Sequence, residues 1–236
     1  MKKAVIATVV VLLLVAAVLQ WGLDRTPAGT DEAELDRFPS ASSLLDVLGG
    51  ARQYLAYILY IKTDELHHAY YGVEADEAEL IPYFLLITLL DPGYISAYYV
   101  GTGNIDAQGH RDEAIEFNRQ GIAANPESAD LYYSLGDLYL EEMRYEDARA
   151  AFEEALQYEP EIISRNTLLT ALAATYKALG DHEALRGILM DQVLYNQTRL
   201  YTEELTYEES KEIVKHINNI LSSLVGPAAH APEGVE

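Results

Sequence analysis

Residues 129–162 read ADLYYSLGDLYLEEMRYEDARAAFEEALQYEPEI, and this stretch decides the fold. Tyr132, Leu135 and Tyr139 fall on one face of a helix expected over 131–143. Ala148, Phe152, Ala155 and Leu156 fall on one face of a second helix, expected over 146–158. Gly136 and Ala148 are small enough for the two backbones to approach closely. Pro160 cannot continue the second helix and ends it.

The same hairpin recurs outward from this stretch. Pro92, Pro126 and Pro160 are spaced by 34 residues and follow Asp91, Asn125 and Glu159. Tyr98 and Tyr132 keep that interval, as do Ala114 and Ala148. A fixed period of this length predicts stacked helix pairs. The unit 95–128 retains Tyr98, Gly109, Ala114 and Pro126. It has Thr102 in the glycine position, Ile105 in place of the second tyrosine and Gly121 at a small packing position. Before it, only a second helix over 79–90 is legible, with Phe84 and Ile87 in register. After 162, Leu169, Leu172, Ala173 and Tyr176 fit a first-helix face, Gly180-Asp181 makes a turn, and a helix over 182–195 departs from the pattern at Leu185. The last helix, 206–225, carries one apolar stripe of Ile213, Ile217, Ile220, Leu221 and Leu224. Thr206 and Glu209 suit a capping box, and such a helix seals the end of a stack.

The arrangement Tyr132-x-x-Leu135-Gly136-x-x-Tyr139, then Ala148-x-x-x-Phe152, Ala155 and Pro160, resembles the tetratricopeptide repeat, with Tyr132 in the place of the usual tryptophan. The resemblance implies an all-α, right-handed solenoid of about three to four hairpins plus a capping helix. We divide it into N-terminal helices with a degenerate repeat (43–94), repeats at 95–128, 129–162 and 163–200, a cap at 201–225 and a disordered tail at 226–236. The resemblance also implies a protein-binding scaffold whose concave face is lined by first helices. Its candidate groove residues are Tyr99, Asp106, Asp130, Tyr133, Asp137 and Glu141, with Gly103 and Leu140 beside them. Some members clamp a terminal carboxylate there with Lys, Arg and Asn. Acid and tyrosine in those places imply instead an extended partner segment bearing Lys or Arg, its stems packed on tyrosine. Tyr132, Tyr139 and Tyr176 are assigned to the core. Tyr99 and Tyr133 face either the groove or a neighbouring helix.

The N-terminus carries a second signal. Residues 4–23 form an apolar stretch long enough to cross a bilayer, preceded by Lys2 and Lys3 and followed by acidic residues. The positive-inside rule puts residues 1–3 in the cytoplasm and the repeats outside, with Trp21 at the interface. A cleaved signal peptide is the rival. The length of the run, and the lack of a small-residue cleavage site after it, favour a retained single-pass inner-membrane anchor. Residues 24–42, acidic and holding Pro27, Gly29 and Pro39, read as a tether. The run 54–61 is apolar all round but too short to span. It is expected to be a helix buried on most sides, within either one helix over 43–71 or two that divide at Gly49-Gly50.

Charge and chemistry narrow the function. The net charge of −22 excludes nucleic acid as a natural partner, since phosphate contacts need clustered Lys and Arg. The acidic surface serves either a basic partner or solubility alone. The absence of cysteine removes disulfides, thiolate metal sites and thiol nucleophiles. Asp64 and His68 stand at helical spacing, and Glu65-x-x-His68 matches half of a di-iron motif, but no second half exists. His67 and His68 are therefore read as a polar helix end. We expect no catalytic residue, no metal and no cofactor. The expected role is a membrane-anchored adaptor of an envelope assembly, the alternative being a permanent subunit of a membrane complex.

Overall fold

The computed structural model describes residues 41–67 and 77–225, and every regular element among them is a helix. They are α1 (Ala41–His67), α2 (Glu77–Leu90), α3 (Ile95–Ala107), α4 (Arg111–Ala124), α5 (Ala129–Glu141), α6 (Tyr145–Ala155), α7 (Arg165–Leu179), α8 (His182–Thr202) and α9 (Tyr207–Val225). The anchor 4–23, most of the tether 24–42, His68 and the tail 226–236 lie outside the described residues, and no described helix is long and apolar enough to cross a membrane. The chain divides into two units, Met1–Ala51 and Arg52–Glu236. Of the first, only the opening of α1 is described.

Within the second unit, α3 to α8 form three hairpins, each helix packed on its sequence neighbours. The first helices α3, α5 and α7 also touch one another, which makes a stack. One apolar core runs along it, from Leu80, Phe84 and Ile87 through Tyr98, Leu131 and Phe152 to Leu168, Leu172 and Ile188. Ser128 and Ser164 cap α5 and α7 by accepting N–H bonds from Leu131 and Thr167. Gly180 ends α7 at φ 74°, the left-handed conformation that glycine adopts without strain.

The central hairpin closes on glycine. A Cβ at Gly136 would lie 2.5 Å from Cε1 of Phe152, whose ring is fully buried. Gly121 meets Tyr98 in the same way, at 2.6 Å. In the preceding hairpin the positions one period back are Thr102 and Asn118. Both are buried, and neither Thr102 Oγ1 nor either amide atom of Asn118 has a hydrogen-bond partner. The close approach there shifts by one residue, to Gly101 against Phe117 and Phe84.

The loops that hold the periodic prolines are stitched together. Asn125 donates to the carbonyls of Pro92 and Gly121, both at 3.0 Å. Asp130 accepts the backbone N–H groups of Glu161, Ile162 and Ile163 at 2.9, 3.0 and 2.9 Å. Each loop is thus tied to the next one along the stack.

Of the two alternatives for the helix before the repeats, the single one holds: α1 is one helix with Gly49 and Gly50 inside it. Two expectations are corrected, for α1 and for α8. α1 is not buried on most sides: Ala56 and Thr63 are buried, but Tyr54, Tyr57, Ile58 and Ile61 are exposed. The stack meets it from one side only, through the Tyr60–Tyr94 ring contact at 5.1 Å and the bond from Arg52 to the Leu89 carbonyl. α8 runs on to Thr202 because neither glycine nor proline interrupts residues 188–202. Its added turns bring Leu200 against the small separate core that Val193 forms with Ile213, Ile217 and Ile220 of α9. The Thr206 N–H donates to Glu209 Oε2 at 2.8 Å and the Glu209 N–H to Thr206 Oγ1 at 3.4 Å, so the capping box forms and α9 begins at Tyr207.

Candidate functional site

The first helices supply the candidate residues from along their whole length. Tyr99 and Asp106 come from α3, and Tyr133, Asp137, Leu140 and Glu141 from α5. Asp137, Tyr133 and Tyr99 act electrostatically on one another. The Tyr133 ring leans on Phe152 at 5.7 Å, which fixes it from behind. Burial, with Asp137 and Tyr99 nearby, pushes its phenol up to about 12. Tyr99 is raised chiefly by burial and then by Asp130 and Asp137. Both tyrosines therefore stay neutral, offering a ring and a hydroxyl.

Asp106 and Glu141 share one cation. Arg111, at the start of α4, binds Asp106 through Nε and through Nη2 (2.9 Å to Oδ2), reaches Glu141 at 2.5 Å, and donates to the Leu138 carbonyl at 3.0 Å. Asp137 is left without a hydrogen bond from any described side chain. Burial first, then Glu141 and Asp106, push its carboxyl above the usual range, against the pull of Arg111. An acid raised in the folded state binds its proton more tightly there than in the unfolded chain. Its cost is absent at low pH and grows as pH rises from the unfolded carboxylate value through the raised one. Asp137→Asn is therefore expected to raise Tm at neutral pH, with the gap to the parent closing below about pH 4. Thermal melts at the two pH values check this, and an equal gap at both would sink it.

Beyond Asp137 the surface opens into a groove of about 680 Å³, lined by Tyr133, Asp137 and Leu140 of α5, by Asn166, Thr167, Thr170, Ala171 and Ala174 of α7, by Asn196 and Arg199 of α8, and by Glu212, Ile213 and His216 of α9. Thr167, Ala171 and Ala174 stand one 34-residue period after Tyr133, Asp137 and Leu140. The period itself points to them, and these smaller side chains make room. The α8 and α9 residues carry no such signal, because those helices leave the repeat pattern. The cap helix thus forms the groove's end wall, where the enclosed Nε2 of His216 has no hydrogen-bond partner among the described residues.

One candidate is misplaced by the sequence reading. Asp130 is 1% exposed and spent on three loop amides, so it is committed to the next loop and not free for a ligand. The expectation of acid and tyrosine alone is corrected too, since Arg111, Arg199, Asn166 and Asn196 stand here. All are engaged: Arg199 grips both oxygens of Glu203 at 2.9 and 3.0 Å, and the two asparagine amides bond each other reciprocally at 2.8 Å. Among the described residues no three His, Asp or Glu side chains gather as a metal site.

Comparison with known proteins finds similarities in sequence and in fold. Residues 107–165 match the tetratricopeptide repeat. The tetratricopeptide match covers α4, α5 and α6 with the loops beside them. In sequence the chain is similar to the TPR repeat-containing protein YpiA of Bacillus subtilis (strain 168), with 24% identity over 132 residues, 52% of this chain and 30% of that protein. The chain therefore spans under a third of that relative's length. Among solved structures it is similar to MamA (18% identity, TM-score 0.43, 62% of this chain and 87% of that one). It is also similar to YrrB, described as a TPR protein with an unusual peptide-binding site (14% identity, TM-score 0.41, 58% and 74%).

Proposed function

We propose that this protein is a non-enzymatic interaction scaffold whose groove takes an extended protein segment bearing Lys or Arg. The observation that carries the reading is Asp137, a half-buried carboxylate held above its ordinary pKa, with no hydrogen-bond donor of its own, between Tyr133 and the open groove. A ligand cation there relieves the cost of keeping it charged, and its aliphatic stem packs on the tyrosine ring. Glu212 on the end wall adds a second acid, while the nearby arginines are already neutralised by Glu203, Asp106 and Glu141. A preformed concave surface costs little ordering on binding.

Calorimetry with a short Lys/Arg-bearing peptide, and with the same peptide carrying Glu instead, tests this. The basic peptide is expected to bind, to weaken about tenfold or more in Asp137→Asn, and to weaken with salt. Equal binding of both peptides, or indifference to Asp137, would overturn the reading.

We further propose that residues 4–23 anchor the chain in the inner membrane and hold the repeats on its outer side. The support is the apolar run behind Lys2-Lys3 and ahead of an acidic segment. Anchoring raises the local concentration of whatever the groove holds for a membrane-bound assembly. Because the chain has no cysteine, a single Glu183→Cys on exposed α8 reports the side directly. Labelling by an impermeant maleimide in intact cells is the expected result. Labelling only after lysis would place the repeats inside.

A further inference from the structure

Eight of the sixteen large apolar side chains left exposed among the described residues sit on α1 and α2, so the apolar surface is concentrated at the start of the stack. On α1, Tyr54, Tyr57, Ile58 and Ile61 are spaced by three, four and seven residues and form one stripe. Their exposures are 64, 50, 42 and 38%. The buried Ala56 and Thr63 lie on the opposite side of the helix. No charged residue interrupts the chain between Arg52 and Lys62.

We propose that two copies of this chain pair through this stripe, with their α1 helices antiparallel about a twofold axis passing between Tyr57 and Ile58. A twofold interface must be complementary to itself. The order Tyr, Tyr, Ile, Ile meets that condition in one orientation. The axis sets Tyr54 of one copy on Ile61 of the other, and Tyr57 on Ile58, so each ring meets a smaller branched side chain and the surfaces interdigitate. A parallel pairing would set tyrosine on tyrosine and isoleucine on isoleucine.

Charge selects the same face. A chain of net charge −22 repels its own copy over most of its surface, and the uncharged run 53–61 is where two copies approach at least cost. The four side chains expose on the order of 400 Å² per copy, at ~200 Å² for a whole aromatic residue. Two copies then bury about 800 Å² in the stripe alone, and a modest rim brings the total to the ~1,200 Å² of small specific interfaces. This inference is independent of the groove.

The absence of cysteine makes the test clean. Single-cysteine full-length chains, Tyr54→Cys, Tyr57→Cys, Ile58→Cys and Ile61→Cys, are oxidised in native membranes and run without reductant, with Glu146→Cys on exposed α6 as control. Circular dichroism of each purified chain checks that it is folded. Tyr57→Cys and Ile58→Cys are expected to give at least tenfold more dimer than the control. Tyr54→Cys and Ile61→Cys alone are expected to give none, because each lies ~10 Å along the helix from its own copy, at 1.5 Å per residue. Mixed together, those two variants are expected to cross-link. Three results would overturn the proposal: no dimer above the control at 57 and 58, as for a stripe covered by lipid; strong cross-linking of Tyr54→Cys with itself; or a product whose mass fits a different protein.

Discussion

Gly136→Val is expected to unfold the central hairpin, and Gly136→Ala to lower stability by about 2 kcal/mol, the middle of the range for forcing atoms into a filled core. The new Cβ would lie 2.5, 2.6 and 2.9 Å from three ring atoms of Phe152. That ring has nowhere to retreat. It is fully buried, it shares α6 with the buried Ala148, Ala151 and Ala155, and the Tyr133 ring leans on it. Emptying the same space from the other side, Phe152→Ala, is expected to cost about 3–5 kcal/mol. Since a whole domain is stable by only ~5–15 kcal/mol, either change removes a large fraction of the total. The two positions are also expected to be coupled. Gly136→Ala should cost clearly less in a Phe152→Leu background, because the smaller side chain yields space. Denaturant midpoints of the four proteins measure this. Gly136→Ala within 0.5 kcal/mol of the parent would mean that the helices separate more easily than this packing allows.

Asp130→Ala is expected to cost about 3 kcal/mol, although it removes only a small side chain. Its carboxylate receives three loop N–H groups and is 1% exposed, so alanine leaves those donors without a partner. Asp130→Asn retains one carbonyl acceptor and is expected to fall between alanine and the parent. Hydrogen exchange gives the more specific readout. The amides of Glu161, Ile162 and Ile163 should lose protection together in Asp130→Ala, while those inside α3 and α4 stay protected. A loss spread evenly over the stack would show general loosening, and the bonds to the loop would then not be what Asp130 contributes.

The period of 34 and the small residues opposite aromatics made the hairpins legible, because close helix approach recurs along the stack. Gly136 facing Phe152 is its clearest instance, and Gly101 against Phe117 and Phe84 is the version shifted by one residue in the preceding hairpin. Asp130 shows where that reasoning stops. Its place just before the expected first helix suggests the groove, but α5 begins two residues earlier than the pattern indicates, at Ala129, and the buried carboxylate is bonded to the next loop. Arg111 was missed because it opens a second helix, and its reach to Asp106 and Glu141 depends on how two hairpins stack. The groove's far wall was missed for a different reason. α8 outruns its repeat and α9 folds across, so Asn196, Arg199, Glu212 and His216 meet through tertiary packing that no period encodes. The open face of α1 was hidden by its composition, since an apolar run does not tell which sides will find a neighbour.

The wall formed by α9 rests on a small core of its own, and this bears on how firmly it is held. Val193, Ile213, Ile217 and Ile220 make a core separate from the main one, with Leu189 and Leu224 at its margin. A small core opens more readily than a large one, so this last helix can detach and re-form while the stack stays folded. A segment seated against Glu212, Ile213 and His216, as proposed for the groove, would favour the attached form and so make this helix harder to open.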